Sequence, residues 1–138
     1  IFGFEPVARS DARILVLGSM PSVESLRQSF YYAHPRNAFW RIAAEVFGAS
    51  MPENIAEKRA LLMENGVALW DVLKSCERRG SLDGAIRQPE VNDFSRLFEM
   101  RGGRFPACNR EISAWIETPF CRDCPNGQLI SKSRGSGR

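Results

Sequence analysis

Histidine is nearly missing from this chain and cysteine is sparse, with one His and four Cys in 138 residues. That scarcity limits metal chemistry. A zinc or iron–sulfur site needs a second Cys pair or His partners close by. Of Cys76, Cys108, Cys121 and Cys124, only Cys121 and Cys124 have ligand-like spacing, and His34 lies far upstream. No metal is expected, and the thiols read as free groups of a reducing compartment. Long apolar runs are also lacking, which argues against a membrane span. The start, Ile1 to Pro6, has neither the basic segment nor the apolar core of a secretory signal. The expectation is a soluble cytoplasmic protein that does not engage a membrane. Neither a Gly-Lys-Ser/Thr phosphate loop nor a GxGxxG pattern occurs, which weakens the case for a small nucleotide pocket. No internal repeat is present, so a solenoid is excluded.

Charge of one sign is scarce in most of the chain. Residues 1–100 carry twelve basic and thirteen acidic side chains, whereas residues 101–138 carry seven and three. The net charge of +3 therefore comes from the tail. It is a weak footprint for nucleic-acid binding by the preceding residues.

What is present suits one globular core, with 43% apolar and 25% charged residues. Arg13 to Ser19 is a short apolar run ending in Gly, as expected of a strand buried on both faces. Gly18 to Ser22 reads as a strand-to-helix turn in which Ser22 can cap the helix. Asn37 is placed to cap a second helix from about Ala38 to Phe47, with Gly48 after its end. A third helix is predicted from Pro52 or Glu53 to Glu64. Val67 to Leu73 reads as a second buried strand, giving a βαβ unit and a parallel sheet. Asn92 starts a short helix with Phe94, Leu97 and Phe98 on one face. Arg101 to Arg104 breaks it. Glu111 to Ile116 suits a short helix, and Ser131 to Arg138 reads as disordered.

Two segments carry chemistry: Gly18-Ser19-Met20-Pro21-Ser22, and Tyr31-Tyr32-Ala33-His34-Pro35-Arg36-Asn37-Ala38-Phe39-Trp40. Together they resemble the first motif and the HPxNxFW segment of the uracil-DNA glycosylase superfamily, closest to its hypoxanthine-DNA (DNA-deoxyinosine) glycosylase branch. Leu69 to Leu73 and Arg79 to Asp83 look like that branch's middle section. The resemblance covers about residues 3–98.

It implies a three-layer α/β/α fold with a parallel central sheet and a monofunctional base-excision repair hydrolase. The enzyme would act without metal or cofactor on DNA containing a deaminated base, hypoxanthine or uracil, as a monomer. Cleaving an N-glycosidic bond develops positive charge on the sugar and negative charge on the base, so the base is extruded, held and stabilised as it leaves. No Lys nucleophile lies in either motif. The resemblance makes Asn37 the catalytic group, since its amide can donate to a base oxygen or orient a water. In the mismatch-specific branch the catalytic Asn sits in the first motif, where this chain has Met20. Read from the residues alone, Asn37 is a helix cap, and both roles can coexist. The base- and DNA-binding candidates are Gly18, Ser19, Met20, Pro21, Ser22, Tyr32, His34 and Phe39. Tyr32 and Phe39 would stack on the base, although core packing suits Phe39 equally and a turn suits His34 better. Asp71 is read as structural or as a strand end, with no catalytic role. Arg78 and Arg79 suit phosphate contacts, and a solvated surface is their more ordinary reading.

After Phe98 nothing matches the family's second motif, a Ser/Pro/Asn-rich loop that supports the extruded state, and no third buried strand is evident. Residues 1–100 are therefore expected to be the N-terminal part of the domain and 101–138 a divergent or frame-shifted tail, partly disordered. An incomplete sheet with an uncovered edge follows, and with it weak or absent activity of this exact chain. The rival reading is a non-catalytic nucleic-acid-binding module that uses the basic tail.

Overall fold

A computed structural model describes residues 1–103, 105, 107 and 108. The first apolar run forms β1, Ile14–Gly18, and the second forms β2, Val67–Asp71. They pair in parallel, in register from Ile14 against Val67 to Gly18 against Asp71. All five residues of β2 are buried. Side chains alternate between the faces of a strand, so both faces of β2 are covered, as the layered α/β arrangement requires.

Four α-helices lie among the described residues, and the last three give buried residues to the core around the strands. α1, Val23–Gln28, is capped by Ser22, whose Oγ accepts from the Ser25 amide at 3.1 Å. α2, Phe39–Val46, turns Trp40, Ala43 and Ala44 inward and ends before Gly48, whose φ is +62°. α3 is Ile55–Glu64, starting later than Pro52 because Asn54 is the cap and accepts from the Glu57 amide at 2.8 Å. Leu61 and Leu62 of α3 are buried in the same core. α4, Ser95–Arg101, stops where Gly102 takes a left-handed φ of +80°. Asn92 does not cap α4. Its amide donates to the Asp71 carbonyl at 2.9 Å, and Asp93 accepts from the Ser95 amide instead.

The run from Val67 to Leu73 is not one strand. After Asp71 the chain bends, and β3, Leu73–Glu77, pairs antiparallel with β4, Arg87–Val91. The physical reason lies in the neighbouring strand. β1 ends in its turn at Gly18, so beyond Asp71 the chain runs out of parallel partner and takes a new one. The last ties to the old partner are Val72 N to Gly18 O at 2.8 Å and Leu73 N to Ser19 O at 3.1 Å.

The sheet also does not stop at two strands. β5, Ala107–Cys108, lies beyond Phe98 and pairs in parallel with β1 at Ile14 and Leu15, giving the order β2-β1-β5. Phe105 is buried in the main core. The outer edge of β2 is not bare either, because Val7 and Leu69 exchange two backbone hydrogen bonds of 2.9 and 2.8 Å. The helix expected at Glu111 to Ile116, the Cys121 and Cys124 pair, and the disorder expected from Ser131 to Arg138 lie outside the described residues.

Candidate active site

In an open parallel sheet, ligands sit beyond the carboxyl ends of the strands. Here β1 and β2 end level, with Gly18 opposite Asp71. A Cβ on residue 18 would stand 2.2 Å from Oδ1 of Asp71 and 3.5 Å from the hydroxyl of Tyr32. The absent side chain is what makes room for the carboxylate. Asp71 is 4% exposed, so this is a buried negative group at the mouth of the sheet. Sequence reasoning gave it no role in the site. The available signal was a lone charge in an apolar strand, at the end where parallel sheets bind ligands.

Burial first, and the Asp71 charge second, push the Tyr32 hydroxyl far above the ordinary phenol value. The same two causes lead for Tyr31, whose hydroxyl donates to the Glu5 carbonyl at 2.8 Å. Both phenols therefore stay neutral at ordinary pH. Tyr32 also holds a left-handed φ of +50°, uncommon for a bulky residue. The residues around it fix that conformation. The Ala33 amide donates to Ser25 Oγ at 3.2 Å, and the Tyr32 ring stacks on Phe39 with centroids 4.2 Å apart. The two candidate stacking residues thus stack on each other, and one face of each ring is taken. Phe39 in turn meets Trp40 edge-on at 4.9 Å.

Asn37 does not occupy the cap position of α2; Ala38 does, one residue later. Asn37 still serves the helix start, because its Oδ1 accepts from the Phe39 amide at 2.9 Å. Its amide nitrogen has no partner among the described residues, and the residue is half-buried. The carboxamide is therefore split, with oxygen on its own backbone and nitrogen left over. His34 is exposed and closes the preceding turn, its Nδ1 accepting from the Arg36 amide at 3.0 Å.

The side chains of the Gly18–Ser22 turn are engaged within the fold. Met20 is buried with Leu73, Cys76 and Ile86 in a second, smaller core, so its side chain packs the β3–β4 hairpin against the turn. Ser19 is buried and donates to Asp83 Oδ1 at 2.6 Å. Pro21 is buried and its carbonyl accepts from the Arg78 guanidinium. Ser22 is spent on capping α1. None of these four side chains is placed to read a base; what the turn can offer a ligand is its backbone. Gly18, Tyr32 and Phe39 are brought together, and Asn37 joins them through the Phe39 amide. Among the described residues, no three His, Cys, Asp or Glu side chains converge as a metal site would need.

The chain as a whole has counterparts among known proteins. The sequence model of the uracil DNA glycosylase superfamily matches residues 5–117, so the match runs past Phe98. A hypoxanthine DNA glycosylase of Methanosarcina acetivorans is 43% identical over 99 residues, which is 71% of this chain and 63% of that protein. A hypoxanthine DNA glycosylase of Methanosarcina barkeri is 39% identical over the same shares. The chain's match thus spans less than two thirds of the length of these relatives. A solution NMR structure from Methanosarcina acetivorans, provisionally described as a uracil DNA glycosylase, superposes with a TM-score of 0.70 at 38% identity. The superposition covers 84% of this chain and 74% of that one.

Proposed function

This chain belongs to the uracil DNA glycosylase superfamily, and from that premise we propose that it removes a deaminated base, hypoxanthine or uracil, from DNA by hydrolysing the N-glycosidic bond. One observation carries the reading. At the carboxyl ends of β1 and β2, a bare Gly18, a buried Asp71 and the Tyr32–Phe39 stack adjoin an Asn37 whose amide nitrogen is uncommitted.

Each group has work that such a reaction requires. A base turned out of the duplex must be held by its face and by its polar edge. A ring already fixed by Phe39 offers a flat support with little ordering left to do. The Asn37 NH₂ donates to the carbonyl oxygen that a deaminated base carries, and the bond strengthens as that base gathers negative charge on leaving. The Asp71 carboxylate gives the site a negative potential that favours the positive charge developing on the sugar. Its place beneath Gly18 keeps it from forming a covalent bond to the sugar, in line with direct attack by water. Water bonds to the sugar C1′ as the C1′–N bond breaks, its proton passes to the departing base, and the Tyr32 phenol stays neutral. Hypoxanthine is the favoured base, because the two relatives above carry that name.

The test is single-turnover excision. A labelled duplex with one inosine or one uracil is incubated with excess protein and then treated with alkali. Slow accumulation of cleaved strand is expected, and none after Asn37→Ala. The rate is expected to be weak, since no segment after Phe98 resembles the second motif. No alkali-labile site with either base, over a day, would sink the reading.

A further inference from the structure

Arg78 opens the 78–83 loop that follows β3, and it is a half-buried cation turned back into the fold. It makes no ion pair among the described residues. Its Nε donates to the Gly80 carbonyl at 2.8 Å and its Nη2 donates to the Pro21 carbonyl. Its Nη1 is buried and has no partner. Nε and Nη2 form one edge of the planar guanidinium, so the two bonds lie side by side and fix the plane of the group. A desolvated charge with an unsatisfied nitrogen costs stability. Two neutral acceptors offset little of that cost, so holding the loop does not by itself explain an Arg at this position.

What the guanidinium does fix is the Gly18–Ser22 turn. Three carbonyls of that turn accept from the segment 72–78: Gly18 from the Val72 amide at 2.8 Å, Ser19 from the Leu73 amide at 3.1 Å, and Pro21 from Arg78. No peptide bond is cis among the described residues. In a trans peptide the N–H points opposite to the carbonyl of the same unit. The amides of Ser19, Met20 and Ser22 are therefore turned away from that segment. The Met20 and Ser22 amides have no hydrogen-bond partner among the described residues. The first two carbonyls are held by backbone donors. The third, in the same peptide unit as the Ser22 amide, depends on one side chain.

We propose that Arg78 is a positioning residue for excision: by holding the Pro21 carbonyl it keeps the Ser22 amide, with that of Met20, aimed at the nucleotide bound at the carboxyl ends of β1 and β2. The inference rests on the glycosylase reading and adds to it a group that touches neither base nor sugar. Amides fixed in advance stabilise charge as it develops and need no reordering at the moment of reaction. Without Arg78 the Pro21–Ser22 peptide unit is free to rotate. Its carbonyl can then face the departing base and repel the negative charge that the amide favours. Arg suits this task because its fork fixes a direction, which the ammonium of a Lys does not.

The experiment compares the unmodified chain with Arg78→Ala, Arg78→Lys and the exposed neighbour Arg79→Ala. Single-turnover excision from an inosine duplex gives a maximal rate and a half-saturating protein concentration, and urea midpoints report the fold. For Arg78→Ala the maximal rate is expected to fall about 100-fold while the half-saturating concentration changes less than about twofold. Millimolar guanidinium chloride, well below denaturing levels, is expected to recover part of that rate, and equal sodium chloride none. Arg78→Lys is expected to fall between the two, and Arg79→Ala to match the unmodified chain. Free hypoxanthine, added to isotope-labelled protein, is expected to shift the Met20 and Ser22 amide signals in the unmodified chain and not in Arg78→Ala. A folded Arg78→Ala or Arg78→Lys with the full maximal rate overturns the positioning role and leaves the glycosylase reading standing. Loss of the fold in both variants does the same, because Arg78 then serves stability. If the unmodified chain cleaves no inosine duplex but hypoxanthine still shifts both amides in an Arg78-dependent way, the catalytic reading alone falls. No cleavage and no shifts overturn both.

Discussion

Oδ1 of Asp71 occupies the space that a side chain on Gly18 would need, 2.2 Å from where its Cβ would stand. The neighbour is a buried side chain at the end of a fully buried strand, so it has little freedom to yield. Gly18→Ala is therefore expected to cost about 1–3 kcal/mol through overpacking. The same change in an Asp71→Ala background should cost clearly less, because the clash is gone. Urea unfolding of the four proteins of this cycle gives the coupling energy, and a coupling of zero would refute the steric account.

The chain contains two tyrosines, and both lie within the field of the same carboxylate. In the folded chain both hydroxyls sit above the free phenol value of about 10. A folded pKa above the unfolded one means that the stabilisation is complete below about pH 10 and is lost as the pH rises beyond it. Titrating phenolate absorbance and helical ellipticity together should show no tyrosine ionising with ordinary affinity while the fold persists. Ionisation should instead appear with alkaline unfolding. In Asp71→Asn, which removes the second cause at both residues, native ionisation should begin at lower pH. A tyrosine titrating normally in the intact fold would contradict the buried placement.

Ser19 and Asp83 are 64 positions apart and share a side-chain to side-chain hydrogen bond of 2.6 Å between the turn and the 78–83 loop. Removing the donor in Ser19→Ala leaves the carboxylate one bond short. The expected loss is about 1 kcal/mol, the typical net worth of one hydrogen bond, because the Asp83 end is exposed to water. Asp83→Asn keeps an acceptor oxygen and should lose less. Denaturant midpoints rank the two, and the reverse order would argue that Asp83 is held by something other than Ser19.

Asn37 has two separable atoms. Asn37→Asp preserves the oxygen that receives the Phe39 amide and removes the nitrogen, and a carboxylate is tolerated at a helix start. Stability should change by less than about 1 kcal/mol, whereas excision should fall about 100-fold or more if the amide donor serves the departing base. Asn37→Ala should lose both. Salt-sensitive DNA binding that is indifferent to the base and survives either change would instead favour the binding-module reading.

Local pattern carried the parts of this molecule whose physics is local. The apolar runs at Ile14–Gly18 and residues 67–70 fit strands covered on both faces, and Ser22 and Gly48 mark helix ends through their own hydrogen bonding and backbone freedom. Of the two motif segments, Gly18, Tyr32 and Phe39 come together at the carboxyl ends of β1 and β2. The β3–β4 hairpin was invisible for a physical reason. β4, Arg-Gln-Pro-Glu-Val, is exposed along its length, so no apolar alternation records its pairing. β5 is too short at two residues to leave a pattern.

The amino-acid order by itself determined that a parallel pair of strands would form, with a glycine turn at the end of the first and helices between them. Only the tertiary structure decided which side chains gather at that end of the sheet. It drew Met20, Ser19 and Pro21 away into packing and into the 78–83 loop, and it brought Asp71 beneath Gly18. Strand propensity and capping depend on neighbours in sequence, which the chain lists in order. The approach of a carboxylate to a glycine 53 positions away depends on how two strands come into register, and no stretch of sequence records that register.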